Sequence, residues 1–328
     1  MKAIVYTKYG SSDVLQLKEI EKPIPKDNEV LVKVHAVSVN PLDWHFMRGK
    51  PYIMRMQTGL RRPKNNAIGT DVAGRIEAVG KNVKEFRPGD DVFGVCKGAF
   101  AEYSCAAEGS LVKKPANMTF EQAAAVPIAS FTALQGLRNQ GLIQSGQKVL
   151  INGASGGVGT FAVQIAKSLG ANVTGVCSTR NVNMVRSIGA DHVIDYTQED
   201  FTQSESRYDL IFDTVGNRSL LNCRRVLSPK GTLVIVGSQS KGRWLGPLAR
   251  SLRGILLSRF VSQEMMMFMA TWSKGDLVTM QKLLEAGEVT PVIDRYYKSS
   301  EVKEAIRYLE EGHTQGKVII TWEHTNKT

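Results

Sequence analysis

The sequence contains no uninterrupted apolar run of about 18 residues, the length of a membrane-crossing helix, so no transmembrane span is expected. It shows no apolar leader either. The strand pattern Lys2-Ala-Ile-Val-Tyr6 starts at once, which argues against a secretory signal and makes the cytoplasm the expected setting. Cysteine is scarce: Cys96, Cys105, Cys177 and Cys223 stand far apart, with no CxxC pair and no histidine at ligand spacing. That pattern excludes a zinc ribbon and a disulfide framework; Cys96 and Cys105 read as buried thiols, with a redox pair across neighbouring strands as the alternative. His35, His45 and His192 also lack metal spacing and read as structural or solvated polar residues.

Negative charge is in deficit, with 31 Asp+Glu against 42 Lys+Arg and a net charge of +11. The excess is dispersed. Its densest clusters are Arg55 with Arg61, Arg62 and Lys64, and Lys241, Arg243, Arg250, Arg253 and Arg259. Neither carries interleaved stacking aromatics, so specific nucleic-acid binding is not expected.

At 328 residues the chain is long for one domain and natural for two. Residues 1 to about 115 alternate short strand patterns with turns, as in Val30, Val32, Val34 and Ala36 on one face with Lys33 and His35 on the other. Many short strands and no long helix predict a small barrel. From Thr119-Phe-Glu-Gln122, a capping-box pattern, helical rhythm takes over through Leu142, and from Val149 strands and helices alternate as in a doubly wound parallel sheet. Residues 244–260 place Trp244, Leu245, Leu248, Leu252, Ile255 and Leu256 at helical spacing with arginines between them: a basic amphipathic helix, docked on its own core or a dimer partner, or else lying on an anionic membrane.

The second half is organised around Lys148-Val-Leu-Ile-Asn-Gly153-Ala-Ser-Gly156-Gly-Val-Gly159. This reads as buried strand, glycine turn and helix. Unpaired N–H groups and the positive dipole end at the start of such a helix stabilise a pyrophosphate, which makes Gly153, Ala154, Ser155, Gly156, Gly157, Val158 and Gly159 the candidate dinucleotide cradle. The usual fingerprint has glycine at the first slot, where this chain has Ala154. About twenty residues on, the next strand ends in Ser178-Thr179-Arg180, donors and a cation where an NAD site carries Asp or Glu. Ser178 and Arg180 therefore point to the 2′-phosphate of NADPH.

Further motifs run along nearly the whole chain: Met1-Lys-Ala; Ser38-Val-Asn40-Pro-Leu-Asp43; Gly69-Thr-Asp71-Val-Ala-Gly74; Arg87-Pro-Gly-Asp90-Asp-Val-Phe-Gly94; Ala123-Ala-Ala-Val-Pro127 with Thr132-Ala-Leu134; Phe212-Asp-Thr-Val-Gly216; and Gly316-Lys-Val-Ile-Ile320. Together with the glycine turn they resemble the zinc-free quinone oxidoreductase branch of the medium-chain dehydrogenase/reductase superfamily. The resemblance implies an α/β fold, a GroES-like β-barrel catalytic domain (residues 1–121 and 268–328) interrupted by a doubly wound Rossmann domain (122–267). It implies a homodimer as well. Asn40 and Thr132 would lie beside the nicotinamide, Tyr196 near the 2′-phosphate, and Val215, Gly216, Gly237 and Lys317 among the cofactor contacts. Tyr52 matches a tyrosine of the substrate cleft and would donate to the substrate oxygen; its plain alternative is a loop aromatic packed on the barrel. Asn40 alternatively serves as a strand-end turn former.

In the zinc-dependent relatives a Cys and a His-Glu pair hold the catalytic metal, whereas the matching positions here are Asn40 and Thr70-Asp71, poor zinc ligands. No metal site is expected. Without a Lewis acid, alcohol oxidation loses its usual driver, while quinones and α,β-unsaturated carbonyls are already electrophilic. The expectation is a zinc-independent, NADPH-dependent oxidoreductase delivering hydride to such acceptors, with Tyr52 and Asn40 as catalytic candidates. Two alternatives stand beside it: a dedicated alkenal or enoyl reductase, and an NADPH-binding scaffold or peripheral membrane protein that uses residues 244–260.

Overall fold

The computed structural model describes residues 1–237 and 262–323; the amphipathic pattern at 244–260 lies outside the described residues. In chain order the elements are β1 (Lys2–Val5), β2 (Gln16–Glu19), β3 (Glu29–Val39), α1 (Pro41–Arg48), α2 (Arg55–Thr58), β4 (Asp71–Val79), β5 (Asp91–Val95), β6 (Tyr103–Ala107), β7 (Leu111–Lys113), α3 (Phe120–Ala124) and α4 (Pro127–Gln135). Then follow β8 (Lys148–Asn152), α5 (Gly157–Ser168), β9 (Asn172–Cys177), α6 (Val182–Ser187), β10 (His192–Asp195), β11 (Tyr208–Asp213), α7 (Leu220–Arg225), β12 (Leu227–Ile235), β13 (Glu264–Met267), α8 (Lys274–Glu285), β14 (Ile293–Lys298), α9 (Val302–Glu310) and β15 (Lys317–Thr321). Two compact units result: one takes Met1–Ala129, Trp272–Gly287 and the chain from Pro291, the other Ser130–Thr271 and Glu288–Thr290.

The first unit is the GroES-like barrel. Its sheet runs β14-β15-β3-β4-β5-β7, with β6 on β3. The eleven-residue β3 is its spine, pairing with β15, β4 and β6. Val30, Val32, Val34 and Ala36 are fully buried, as the alternation requires, and on the opposite face His35 stacks on Phe120 of α3 with ring centroids 4.4 Å apart. Toward its end β3 is buried on both faces, from Ala36 through Val39, and Asn40 beyond it is buried as well. The strand-only reading of this region omitted α1. Its signals were present: Pro41 pre-sets the first helical φ, and the Asp43 carboxylate accepts a hydrogen bond from the Asn40 backbone N–H at 2.8 Å.

The second unit is an all-parallel sheet in the order β10-β9-β8-β11-β12-β13. Numbered within the unit, that order is 3-2-1-4-5-6, the doubly wound arrangement, with its switch between β8 and β11. Val149, Leu150 and Ile151 are wholly buried, as are Phe161, Ala162, Val163, Ile165 and Ala166 on α5. A helix buried so completely needs small residues at its entry, and α5 begins Gly-Val-Gly. Burial of each large apolar side chain contributes roughly 1.5–3 kcal/mol, so this strand–turn–helix is among the firmly held parts of the unit. The methionine run divides by position: Met265 is buried in β13, while Met269 beyond it is 77 % exposed.

The capping box at α3 forms in both directions, Thr119 Oγ1 accepting from the Gln122 N–H at 3.2 Å and Gln122 Oε1 from the Thr119 N–H at 2.9 Å. Thr119→Ala is expected to cost about 1 kcal/mol, read as a lowered urea midpoint at unchanged slope.

Candidate functional site

In the parallel unit the glycine turn leaves β8 at the switch point. Gly153 adopts φ +87°, and both the Gly153 and Ala154 N–H groups donate to the Val176 carbonyl of β9, at 3.1 and 3.0 Å. That tether explains the alanine at the first fingerprint slot: the left-handed residue is Gly153, and Ala154 is buried against Gly175, where any side chain would meet it at 3.0 Å. At Gly159 a Cβ would lie 2.0 Å from the Gly153 carbonyl oxygen, so only glycine lets α5 start this close to the strand. The first N–H groups of α5, from Gly157, Val158 and Gly159, have no partner carbonyl within the helix and form the positive end of the helix dipole. The cradle fits a dinucleotide pyrophosphate on these grounds.

The tips of the neighbouring strands complete it. Asn181, which the sequence reading passed over, is buried beside the turn; its Nδ2 donates to Ser155 Oγ at 2.9 Å and to Ser178 Oγ at 3.3 Å, while its Oδ1 has no partner. Such a buried orphan acceptor costs about 1–3 kcal/mol, as expected of a site shaped for a ligand. Arg180 is exposed at the tip of β9. One strand further out, at the end of β10, the Asp195 oxygens are taken by Thr179 Oγ1 at 2.6 Å and by the N–H and hydroxyl of Thr197; the Thr179 hydroxyl leads in holding its carboxyl below the usual range. Tyr196 beside it is 47 % exposed. On the other side of the switch, buried Asp213 fixes the loop that carries Val215 and Gly216: its Oδ1 accepts from both their N–H groups, at 3.2 and 2.8 Å, and from Asn152 Nδ2 at 2.8 Å. Gly237 abuts that loop so closely that a Cβ would lie 1.9 Å from the Thr214 carbonyl oxygen. Thr132, on α4, is half-buried.

In the barrel unit the predicted Asn40 and Lys317 meet. Lys317, 3 % exposed, donates through Nζ to Asn40 Oδ1 at 2.6 Å and lies 3.6 Å from Asp71 Oδ2. Asp71 Oδ2 also accepts from Asn40 Nδ2 at 2.8 Å and from Ser38 Oγ at 2.6 Å, and its Oδ1 from the Ile128 N–H at 3.0 Å. Register explains the convergence. Val318 sits opposite Val39, which carries Lys317 to Asn40, and Ala36 sits opposite Ala73, which carries Ser38 to Asp71. Asp43 completes the cluster, held by the Asn40 N–H and by Thr70 Oγ1 at 3.4 Å. Ser38 and Asp43 are only motif letters in the sequence; Ser38 gains its partner through strand pairing and Asp43 through the start of α1.

The electrostatics follow from burial. Desolvation pushes the Asp43 carboxyl up to about 7, with nearby Asp71 adding to the rise and the Asn40 N–H and Lys317 opposing it. Burial pulls the Lys317 ammonium down while Asp71 and Asp43 hold it up. The Cys96 thiol is pushed up to about 12 by burial, which keeps it protonated and a poor metal ligand. Among the described residues no group of three or more His, Cys, Asp and Glu side chains could hold a metal ion. All four cysteines are free thiols, His35 is stacked on Phe120, and His45 Nδ1 is 2.8 Å from the Lys50 carbonyl.

Tyr52 lies between α1 and α2. Its half-buried ring lies 4.7 Å from the Arg55 guanidinium, which also covers Tyr9 at 4.4 Å and donates through Nε to the Gly49 carbonyl at 2.9 Å. Tyr9 in turn donates to the Gly59 carbonyl at 2.6 Å, so the segment around Tyr52 is pinned at both ends.

The Asp43 carboxyl titrates above its unfolded value, so it favours the folded state most below about pH 4, and that contribution is lost as pH rises through about 7. Asp43→Asn is expected to remove this component. Between pH 5 and 8 the stability difference between variant and wild type, from urea melts, should shift in the variant's favour by up to about 1.4 kcal/mol per pH unit. A pH-independent difference would contradict the assignment. Gly159→Ala, forced against the Gly153 carbonyl, should weaken dinucleotide binding at least tenfold by fluorescence titration.

Two family descriptions match the chain: "Alcohol dehydrogenase GroES-like domain" over residues 26–116 and "Zinc-binding dehydrogenase" over 188–320. A 2-methylene-furan-3-one reductase of Solanum lycopersicum is 33% identical over 98% of this chain and 79% of its own length. The quinone oxidoreductase of Homo sapiens is 33% identical over 98% of this chain and 97% of its own length. Among solved structures, the Escherichia coli quinone oxidoreductase complexed with NADPH superposes with a TM-score of 0.83 at 25% identity, covering 98% of this chain and 100% of the other. With both units, their motifs and these relatives in agreement, the chain belongs to the quinone oxidoreductase branch of the medium-chain dehydrogenase/reductase superfamily.

Proposed function

We propose that the protein is an NADPH-dependent, zinc-independent oxidoreductase that reduces quinones or α,β-unsaturated carbonyls. One observation carries the reading: the cluster at the positions that bind zinc in metal-dependent relatives is built around the buried Lys317 ammonium, bonded to Asn40 and beside Asp71. An ammonium has no lone pair to offer a metal, and its fixed positive charge opposes a dication. Without a Lewis acid the acceptor has to be electrophilic already, as quinones and enones are. The tomato reductase and the human quinone oxidoreductase carry these two substrate classes in their names.

NADPH, when bound, supplies the hydride. The chain's own groups do the rest. The α5 N-terminus and glycine turn hold the pyrophosphate, Ser178 and Arg180 engage the 2′-phosphate with Tyr196 nearby, and Val215, Gly216 and Gly237 form the wall set by Asp213. Asn40 and Thr132 are assigned to the nicotinamide. Tyr52 is the assigned donor to the oxygen on which charge develops, its ring oriented by Arg55. A homodimer in the cytoplasm belongs to the same reading, supported by the family resemblance.

The test is NADPH oxidation, followed at the absorbance of the reduced nicotinamide, against quinones, enones, alkenals and simple ketones. Turnover of quinones or enones that survives exhaustive chelation is expected; chelator-sensitive turnover, or activity confined to ketones and alcohols, would refute it. Arg180→Ala should weaken NADPH binding by about 1.5–3 kcal/mol, the range for a hydrogen bond to a charged group, and leave NADH nearly unchanged. Equal losses for both cofactors would remove Arg180 from the 2′-phosphate.

A further inference from the structure

Asn40 is held at both ends of its amide. Lysine can only donate, so the atom 2.6 Å from Lys317 Nζ is the amide oxygen; a carboxylate can only accept, so the atom 2.8 Å from Asp71 Oδ2 is the amide nitrogen. The backbone N–H of the same residue is bound to Asp43. Asp71 itself is fixed by Ser38 Oγ and the Ile128 N–H, and Lys317 by the pairing of β15 with β3. We propose that Lys317 is the positioning residue for Asn40, locking its amide in a single orientation, and that it is not a phosphate ligand of the cofactor. The inference rests on the reading that assigns Asn40 to the nicotinamide.

Three features separate this from a generic buried ion pair. Lys317 is 3 % exposed, so its ammonium is spent within the barrel unit. Its bond to the neutral amide, at 2.6 Å, is much shorter than its 3.6 Å approach to the Asp71 carboxylate. The third is charge balance: one ammonium faces two carboxyl groups, and burial displaces the ionisation of Asp43 toward neutrality. Among the described residues, the charged and titratable groups coupled to Asp43 include Asp71 from β4, Lys317 from β15 and Tyr6 just after β1. Removing Lys317 removes a cation that favours ionised Asp43.

The experiment compares wild type, Lys317→Met, Asn40→Ala and the double variant, with a water-soluble benzoquinone and an alkenal as acceptors. NADPH affinity is read by fluorescence titration, kcat and KM by steady-state kinetics from pH 5 to 9. In Lys317→Met we expect kcat to fall at least tenfold, NADPH affinity to stay within twofold, and the ionisation near pH 7 to move upward. Adding Lys317→Met to Asn40→Ala should cause no further loss. A tenfold loss of NADPH affinity with kcat preserved would make Lys317 a phosphate ligand and overturn the proposal. So would losses that multiply in the double variant, an unmoved pH profile, or a kcat within twofold of wild type. If Lys317→Met does not fold by circular dichroism, Lys317→Gln, which keeps a donor without the charge, decides by the same criteria. A wild type silent toward both acceptors overturns the functional reading itself, and the inference with it.

Discussion

An ammonium removed from water must be met by acceptors, and in this protein that requirement ties three distant parts of the barrel together. Lys317 opens β15, Asn40 directly follows β3 and Asp71 opens β4, and the three strands lie side by side in that order. Desolvating each charge costs several kcal/mol, a cost offset only where every lone pair and proton finds a partner. The partners are present: Ser38 and the Ile128 N–H on Asp71, Thr70 and the Asn40 N–H on Asp43. The cluster therefore specifies register. A one-residue slip of β15 along β3 would turn Lys317 away from Asn40 and leave an uncompensated charge in the interior.

The parallel unit solves a different problem with the backbone instead of with charge. A pyrophosphate carries negative charge, and the start of α5 supplies N–H groups and dipole with no buried cation required. What this solution demands is closeness, and closeness demands the absence of side chains. Gly159 leaves no space for a Cβ, and Gly153 adopts a conformation that an L-residue resists. Polar side chains then hold the neighbouring tips: Asn181 spans Ser155 and Ser178, and Asp213 gathers Asn152, Val215 and Gly216. These residues stiffen the cradle from behind, and stiffness makes the binding groups effective before the ligand arrives.

How far the primary structure could reveal this depended on the range of the interaction. The glycine turn, the alternation of strand and helix and the Thr119 cap are local, encoded in residues a few positions apart, and they appear where the pattern put them. The α1 helix is equally local, marked by Pro41 and by the Asp43 carboxylate on the Asn40 N–H, but a reading of residues 1 to about 115 as strands and turns has no place for it. Asn181 and Asp213 carry ordinary polar letters, and only burial distinguishes them from solvated residues. Lys317 is the extreme case. Its partner lies 277 residues away, so neither period nor spacing could join them. Only the family resemblance marked both as site residues, and it assigned them to a ligand instead of to each other.

On the proposed zinc-independent reading, that pairing takes over part of what the metal does in metal-dependent relatives. A metal both polarises a substrate and rigidifies its ligands, and losing it removes both effects. The polarising role can be given up when the acceptor is already electrophilic. The rigidity cannot, because hydride transfer depends on reacting atoms being held within a few tenths of an ångström. The Lys317–Asn40–Asp71 arrangement supplies rigidity from an ammonium, an amide and a carboxylate whose donor and acceptor roles admit only one amide orientation. On that reading the asparagine at position 40 is intelligible only together with the lysine facing it. Asn40 alone would be a buried amide with a free choice of orientation; opposite Lys317 and Asp71 it has none.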